Sequence, residues 1–382
     1  MQQNSPPPMS PAGRPIRLVF LLPGMVMGGA ERHGLDLMRR FGLAGYDTRL
    51  VIHGSNATDQ MEAIVRALGA VLLQVRGMSS LPGWLRVWRE LKRQDADVIF
   101  CVNHTVAIVA TALKALGLIR SKVVCVLHTT ILQPNDRKNF FLFRWSARAL
   151  DALVYVSGTQ KRYWEANGVR AQRSVSITNG VDLAEFSDLA PESAVHREAL
   201  GLAAEDYVIG IVAGLRPEKN HEELIEALAI LRGAHARAKV LIVGEGRRRL
   251  AIEARIKALD LEDHVVLVGE QPDVRPYIRL CDVCVLCSTT ETFSLAALEV
   301  LALGAPVVSS DVGGMSEIID PEVNGLLYPS GDPAALADCL LRIARPEVRQ
   351  PMRAAARGSV LRRDIGHMMG QYVDLVRALT GR

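Results

Sequence analysis

Two glutamates beside a predicted helix start form the strongest chemical signal in the sequence. The segment 291–299 (ETFSLAALE) begins at Glu291 and ends at Glu299, and the helix predicted there ends where Gly304 permits a left-handed turn. The first turn of this helix exposes backbone amides at the positive end of the helix dipole, where phosphate binds. One carboxylate can therefore reach the head of a phosphate ligand and the other its middle. Glutamates near a helix are more often solvated surface, so the signal needs support from elsewhere.

A basic loop supplies cations that suit the same kind of ligand. The segment 213–220 (AGLRPEKN) follows an apolar run and contains Arg216 and Lys219. Pro217 favours an extended Arg216, and positions two apart in an extended segment, here Gly214 and Arg216, share a face. Two ordinary surface cations are the alternative explanation. The segment 244–246 (GEG) follows a further predicted strand, and a tight turn explains it equally well.

In the first half of the chain, polar residues follow three predicted strands. Gly28 and Gly29 precede a helix that carries Glu31, and glycine lets a backbone approach a ligand closely. His128 ends the predicted strand 122–127, and His104 follows an earlier strand. A lone histidine more often has a structural hydrogen-bonding role, and loose glycine patterns are weak evidence by themselves.

The elements that must position these residues alternate between apolar strands and amphipathic helices. Continuous apolar runs are typical of parallel strands covered by helices on both faces. We therefore predict an α/β protein with two Rossmann-like, doubly wound domains facing a cleft and ligands at the carboxyl ends of the strands. The predicted strands are 16–22, 48–52, 98–102, 122–127 and 152–156, then 208–213, 239–243, 265–268, 283–286 and 306–309.

The domain borders are predicted where the alternation of strands and helices stops and starts again. Residues 1–15 are rich in Pro, Ser and Gln and are predicted to form a disordered tail. The first domain is assigned to residues 16–182 and the second to residues 206–364, with a linker over 183–205. We expect the last helical segment, 365–382, to pack back on the first domain.

With these motifs in place, the chain resembles the retaining glycosyltransferase family 4, the glycosyl transferases group 1, over about residues 16–380. The resemblance implies the GT-B architecture. It also implies that Glu291 faces the transferred sugar, that Glu299 binds the nucleotide ribose and that Lys219 binds the donor phosphates. The family commonly carries a phosphate-binding arginine where this chain has Gly214, so Arg216 is expected to substitute for it.

The resemblance assigns roles to the first domain as well. Its glycine loop would line the cleft near the donor phosphate and the acceptor, and His128 would reach the donor sugar. His104 and Glu31 are expected on the acceptor side. Trp164 and the segment 179–182 also match family landmarks, as structural or hinge positions. The expected catalytic residues are His128, Glu291 and Lys219. The expected donor-binding residues are Gly28, Gly29, Arg216, Lys219, Ser294, Leu295 and Glu299.

The activity implied is transfer of a hexose, with retention, from a nucleotide-diphosphate sugar to a glycan, lipid-linked or other acceptor. No cofactor and no metal are expected. Asp95 and Asp97 resemble a metal motif, but they precede a strand and so lie at the amino edge of the sheet.

A nonhydrolysing nucleotide-sugar epimerase and a non-catalytic nucleotide- or glycan-binding protein remain alternatives. A dehydrogenase is disfavoured because no Gly-x-Gly-x-x-Gly with a downstream ribose acid occurs.

Three of the six cysteines, Cys281, Cys284 and Cys287, have a spacing that superficially suits a metal cluster. Strand alternation predicts that Cys284 points to the face opposite Cys281 and Cys287. We therefore interpret the cysteines as packing residues and expect a reducing compartment, the cytoplasm.

The two halves of the chain differ in net charge. Residues 1–182 contain 23 Lys and Arg against 12 Asp and Glu, a net charge of +11, whereas residues 183–382 contain 22 against 29, a net charge of −7. We expect the first half to bind an anionic acceptor or the inner face of an anionic membrane, and we expect no nucleic acid partner.

The segment 137–148 mixes cations with large apolar residues, which favours a helix covering the sheet over a membrane-surface helix. No apolar run reaches the roughly 18 residues of a membrane span.

Overall fold

The computed structural model describes residues 9, 13–24, 29–53, 71–73, 81–130, 137–187 and 195–381. The chain divides into two compact units. The N-terminal unit comprises Met1–Thr178 and Met368–Arg382, and the C-terminal unit comprises Asn179–His367. Each unit contains a parallel sheet covered by helices, so the predicted two-domain α/β architecture is confirmed.

The strands of both sheets are short apolar runs. The N-terminal sheet contains β1 Arg17–Leu22, β2 Asp47–His53, β3 Val71–Leu73, β4 Val98–Val102, β5 Lys122–Leu127, β6 Ala152–Tyr155 and β7 Ser174–Ser176. The C-terminal sheet contains β8 Tyr207–Val212, β9 Ala238–Val243, β10 Val265–Gly269, β11 Val283–Leu286, β12 Val307–Ser310 and β13 Gly325–Tyr328. All pairings between these strands are parallel.

Helices connect the strands and cover the sheets. They are α1 Gly29–Leu43, α2 Leu81–Gln94, α3 His104–Ala115, α4 Arg137–Ser146, α5 Gly158–Ala166, α6 His221–Ala234, α7 Arg249–Ala258, α8 Arg275–Leu280, α9 Leu295–Ala302, α10 Pro333–Ala344, α11 Pro346–Ser359 and α12 Ile365–Thr380. Because most of α12 belongs to the N-terminal unit, its Tyr372 lies beside His33 of α1 and Phe100 of β4, with ring centroids 6.1 and 6.3 Å away.

The strand order shows where each sheet has its topological switch point. The N-terminal order is β3-β2-β1-β4-β5-β6-β7, and the C-terminal order is β10-β9-β8-β11-β12-β13. In both sheets the chain moves outward on one side of the first strand and then returns to its other side. The topological switch points therefore lie between β1 and β4 and between β8 and β11, where doubly wound sheets bind ligands.

Five predicted strands in each half match observed strands to within one residue at either end. Three strands, β3, β7 and β13, were not predicted. The first two are only three residues long, β7 reads Ser-Val-Ser, and β13 begins with a glycine. All three lie at sheet edges, where a strand needs no continuous apolar run.

The unit borders differ from the predicted domain borders at several positions. Asn179 and Val181, assigned above to the first domain, belong to the C-terminal unit, where Val181 pairs with Asp364. In the predicted linker, Phe186 and Leu202 are buried. Residues 188–194 lie outside the described part.

The predicted tail is described only at residues 9 and 13–15. There Arg14 forms an ion pair with Asp97, at 2.8 Å. The Asp97 carboxylate also accepts the Arg17 backbone N–H at 2.8 Å. Asp97 thus fixes the start of β1, the structural role expected of a residue at the amino edge of the sheet.

The cysteine prediction is partly wrong. Cys284 and Cys287 do point to opposite faces, since Cys287 lies in the core cluster of the C-terminal unit and Cys284 does not. Cys281, however, precedes β11, so strand alternation does not apply to it. Its thiol lies next to that of Cys284: a hydrogen bond between them, together with burial, raises the pKa of Cys281. All six cysteines are free thiols and five are buried, as packing residues are.

Among the helices that the structure describes, none combines the length and apolarity that crossing a membrane requires.

Candidate active site

The loop after β8 carries both cations that the sequence singled out. It runs from Ala213 to Asn220 and ends in a single helical turn, Pro217–Lys219, before α6 begins. Arg216 is extended (φ −120°, ψ 155°), as the following proline predicts. Its Nε lies 3.3 Å from the point where a Cβ at position 214 would stand. The Arg216 side chain therefore occupies the space beside Gly214, which is what substitution for an arginine at position 214 requires.

The glycines after β9 let this loop approach a second one. The Leu215 N–H donates to the Glu245 carbonyl at 3.0 Å, and the Arg248 N–H donates to the Leu215 carbonyl at 3.0 Å. A Cβ on Gly244 would lie 2.1 Å from the Ala213 oxygen. With a φ of +148°, Gly244 also adopts a conformation that other residues avoid. These glycines therefore have at least a structural role: they fix the backbone that presents Arg216 and Lys219.

Lys219 and Glu291 meet at the carboxyl edge of β8 and β11. The Lys219 Nζ donates to the Glu291 Oε2 at 2.6 Å, and the side chains are 26% and 16% exposed. The Ser288 hydroxyl donates to the same oxygen at 3.3 Å. This ion pair brings together two residues 72 positions apart that sequence analysis assigned separately to phosphate and to sugar. Both remain open enough for a ligand to reach.

Backbone contacts hold the two loops in register. The Thr289 N–H donates to the Glu218 carbonyl at 2.9 Å, next to the Lys219–Glu291 pair. Ser310, at the end of β12, donates its hydroxyl to the Ser288 carbonyl at 2.6 Å. The pair is therefore supported from the neighbouring strand, and its geometry does not depend on two mobile surface side chains.

Helix α9 starts as the sequence predicts. Ser294 is its N-cap, with the hydroxyl accepting the Ala297 N–H at 3.3 Å, and Leu295 is its first residue. The helix ends before Gly304, which has the predicted left-handed conformation (φ +79°). Glu299 lies in the second turn and is 7% exposed, so a ribose-binding role requires the ligand to come close to the helix. The Asn179 amide donates to the Phe293 carbonyl at 2.8 Å and so fixes the backbone just before the helix.

Glu223, which was not predicted from the sequence, is a buried carboxylate next to the end of the basic loop. Its side chain accepts hydrogen bonds from the Asn220 amide and, at 2.9 Å, from the Gly331 N–H. Burial raises its pKa. Glu223 thereby ties the end of the basic loop, where Asn220 is left-handed, to the turn after β13. No local pattern marks it, because in sequence it is one of two acidic residues in the first turn of α6.

In the N-terminal unit, the glycine loop after β1 is described only in part. Gly28 lies outside the described residues. Gly29 opens α1, and among the residues that the structure describes, apart from its chain neighbours and its own helix, no atom lies within 4 Å of where its Cβ would be. Glu31 is half-buried in the first turn of the same helix.

His128 follows β5 and is positioned by three polar side chains. Its N–H donates to the Asn103 Oδ1 at 2.9 Å. The Gln160 amide donates to the Leu127 and Thr129 carbonyls at 2.7 and 3.0 Å, and the Trp164 indole donates to the Thr129 carbonyl at 2.8 Å. Gln160 and Trp164 are fully buried. The structural role predicted for Trp164 is thus explained, whereas Asn103 and Gln160 were missed because their contacts lie 25 to 33 residues away.

The His128 ring packs on His33 of α1, with centroids 4.9 Å apart. Burial, followed by the proximity of His33, holds the pKa of His128 well below its usual range. Burial lowers the pKa of His33 to about 4. Both rings are therefore neutral at pH 7, and each offers one donor and one acceptor nitrogen.

The His33 environment predicts a stability loss in mild acid. An unfolded histidine has a pKa of about 6.5, so between pH 6.5 and 4 the unfolded chain binds a proton that the folded chain does not. The free energy of unfolding should fall with decreasing pH, by up to about 1.4 kcal/mol per pH unit from this residue. All four tryptophans lie between residues 84 and 164, so tryptophan fluorescence in urea reports on this unit. His33→Gln should reduce the slope and exposed His367→Gln should not; equal slopes in all three proteins would refute the assignment.

His104 follows β4, at the strand end where the sequence placed it. It is the first residue of α3 and is buried, with its ring centroid 5.7 Å from that of Phe143. This ring contact is a packing contact, and the acceptor-side role of His104 stays a prediction.

Within the described ranges, no three His, Cys, Asp or Glu side chains group as metal ligands. The positively charged groups at the C-terminal site are side chains and amides: Lys219, Arg216 and the start of α9. This arrangement can hold a phosphate group beside a carboxylate.

Comparison with known proteins agrees with this geometry. The model of glycosyl transferases group 1 matches residues 192–358, and that of glycosyltransferase family 4 matches residues 27–185. The amylovoran biosynthesis glycosyltransferase AmsK of Erwinia amylovora is 30% identical over 285 residues, 70% of this chain and 67% of that protein. The UDP-Gal:alpha-D-GlcNAc-diphosphoundecaprenol alpha-1,3-galactosyltransferase of Escherichia coli is 23% identical over 384 residues, 94% of this chain and 97% of that protein.

The fold comparison covers both units. The crystal structure of Anabaena HepE in complex with UDP superposes with a TM-score of 0.83 at 21% identity, over 95% of this chain and 100% of that chain. Together with the two matching family models and the resemblance in sequence, this leads to one assignment. The chain is a glycosyltransferase of GT-B fold and belongs to the glycosyl transferases group 1.

Proposed function

We propose that the protein transfers a sugar from a nucleotide-diphosphate sugar to a glycan or lipid-linked acceptor, with retention of configuration and without a metal. The observation that carries the proposal is the Lys219–Glu291 ion pair at the switch point between β8 and β11. A cation and a carboxylate held together there suit a ligand in which a phosphate is bonded directly to a sugar. UDP-Gal, named for the Escherichia coli relative, is a ligand of this class, and UDP, bound in the HepE structure, is the diphosphate that remains when its sugar leaves.

The charge that develops in the reaction explains the cations. When the bond between the anomeric carbon and the phosphate oxygen breaks, negative charge develops on the leaving diphosphate. Lys219, Arg216 and the amides of Ser294 and Leu295 would stabilise that charge from fixed positions. Glu291 would orient the sugar, and Glu299 would bind the nucleotide ribose.

Retention follows if the acceptor hydroxyl attacks from the face that the phosphate leaves. The new bond joins the acceptor oxygen to the anomeric carbon, and the acceptor proton passes to the departing phosphate oxygen. This step needs no protein nucleophile, so Glu291 need only position the sugar. On the N-terminal unit, the neutral His128 would hydrogen-bond the sugar, with Gly28 and Gly29 near the phosphate and Glu31 toward the acceptor.

We expect transfer to persist in excess chelator. The cations at the C-terminal site replace the metal that other diphosphate sites use to neutralise the leaving group. The measurement is the initial rate after EDTA treatment and dialysis, compared with the rate after adding manganese or magnesium. Loss of activity that either metal restores would reject the metal-independent mechanism.

Glu299→Gln should weaken donor binding about tenfold, about 1.4 kcal/mol, because the amide cannot accept as strong a ribose hydrogen bond as the carboxylate. Glutamine is nearly isosteric, so this 7% exposed position stays filled. Calorimetric titration with a nucleotide sugar measures the effect, and Glu347→Gln, on the exposed surface of the same unit, is the matched control. Unchanged affinity in Glu299→Gln would remove the ribose assignment.

The acceptor assignment rests on the relatives. The Escherichia coli relative is named for a diphosphoundecaprenol acceptor, and AmsK for amylovoran biosynthesis. We propose an acceptor of this class, glycan or lipid-linked. We also propose a cytoplasmic location, because six free thiols suit a reducing compartment.

A nucleotide-sugar epimerase is the competing function, because doubly wound domains also serve that reaction. The two differ in their products. A transferase releases nucleoside diphosphate in proportion to the acceptor supplied, whereas an epimerase changes the sugar without needing an acceptor.

A further inference from the structure

Helix α4 carries a solvent-exposed apolar face that the proposed chemistry does not use. Phe141, Leu142 and Trp145 are 68%, 57% and 69% exposed, and they lie on adjacent turns. Phe143 of the same helix is fully buried, so the helix already covers the sheet with its other face. The residue pattern favoured a helix that covers the sheet, and the structure shows an exposed apolar surface on that helix in addition.

Two arginines border this face. Both Arg144 and Arg148 are exposed. Arg144, three positions after Phe141, lies on the same side of α4, and Arg148 lies in the short 3-10 turn Ala147–Ala149 that directly follows the helix. Neither forms an ion pair with any acid in the described ranges. The Arg144 guanidinium lies across Gly168, just beyond α5, 2.8 to 2.9 Å from the point where a Cβ would stand. We call the surface of Phe141, Leu142, Arg144, Trp145 and Arg148 the α4 face.

We propose that the α4 face binds the surface of an anionic lipid bilayer. Aromatic and aliphatic side chains flanked by arginines, with no acidic residue among them, have the composition of helices that lie in the interface of a membrane. The +11 charge of residues 1–182 adds attraction over a longer range. Charge also argues against pairing of two copies through this face, since each copy would place Arg144 and Arg148 beside the same cations of the other.

The α4 face shares no residue with the proposed donor and acceptor sites, and the Lys219–Glu291 pair belongs to the other unit. Binding is therefore measured with no sugar donor or acceptor present. A negative result would remove the membrane proposal and leave glycosyl transfer untouched.

The experiment is sedimentation of the full chain with vesicles of phosphatidylcholine, or of equal parts phosphatidylcholine and phosphatidylglycerol, at low and high salt. We expect binding to the anionic vesicles that weakens with salt, since screening shortens the Debye length. Arg144→Gln with Arg148→Gln should reduce the affinity at least tenfold, at roughly fivefold for each arginine near the surface. Phe141→Ser with Trp145→Ser should abolish binding. Leu250→Ser, which alters an 80% exposed apolar residue of the C-terminal unit, should have no effect.

Tryptophan quenching keeps the test independent of how well the serine variant folds. Vesicles containing brominated lipid should quench the wild-type protein, and Trp145→Phe should lose most of that quenching while still sedimenting. Equal binding to both vesicle types, binding to neither, or quenching unchanged in Trp145→Phe would overturn the proposal. It would also be overturned by a wild-type dimer that Trp145→Ser dissociates, since the face would then be a self-contact.

Discussion

Lys219→Ala is expected to slow glycosyl transfer by about a hundredfold, about 3 kcal/mol, the usual cost of removing one fixed donor to a developing oxyanion. Lys219 is the cation held at 2.6 Å from Glu291, so its position is set before the donor binds. Donor affinity should fall as well, because the phosphates carry negative charge in the bound state and in the transition state alike. Steady-state kinetics with the donor varied measures both effects.

Lys257→Ala is the matched control for this substitution, because Lys257 is exposed on α7 of the same unit. It should leave kcat and the donor affinity unchanged. If Lys219→Ala itself changed rate and affinity by no more than about twofold, well under 1 kcal/mol, Lys219 would not bind the phosphates.

Glu291→Gln should lower kcat roughly thirtyfold, about 2 kcal/mol, while donor affinity stays within about twofold. The carboxylate is proposed to hold the sugar as positive charge develops on the anomeric carbon, an interaction that strengthens on the way to the transition state. Glutamine keeps the shape and can still contact Ser288 and Lys219, so a change in kcat reports on the charge. A substitution effect confined to KM would contradict this role.

The two residues should also be energetically coupled. Removing either one leaves its partner partly buried without a counter-charge, so the single substitutions should cost more in sum than the double variant Lys219→Ala with Glu291→Gln. A double-mutant cycle on kcat/KM measures that difference. Strict additivity would indicate that the 2.6 Å contact has no part in the reaction.

The central strands could be predicted from the sequence because burial on both faces leaves an unmistakable apolar run. Val98–Val102 and Lys122–Leu127 were predicted to the residue, and so was Val283–Leu286. Edge strands such as Ser174–Ser176 are half-buried and polar, so hydrogen bonding to a neighbouring strand defines them and local composition does not. Cys281 shows the same limit, since strand periodicity says nothing about a residue just before the strand.

The site was predictable where one short segment contains its chemistry. Lys219, Glu291 and the cap residue Ser294 lie in loops whose composition is informative by itself, and the structure joins the first two. Glu223 and Gln160 act through partners that are distant in sequence, so no pattern points to them. His104 follows its strand as predicted, but proximity to a strand end does not reveal that its side chain is buried.

The most direct test of the central claim is acceptor-dependent release of nucleoside diphosphate. Purified protein would be incubated with a panel of nucleotide sugars, with and without lipid-linked and glycan acceptors, beside Lys219→Ala at the same concentration. We predict that one donor releases its diphosphate in proportion to the acceptor, that the product keeps the anomeric configuration of the donor, and that Lys219→Ala reduces the rate about a hundredfold. Conversion of the donor sugar without any acceptor, or equal turnover in Lys219→Ala, would contradict the account.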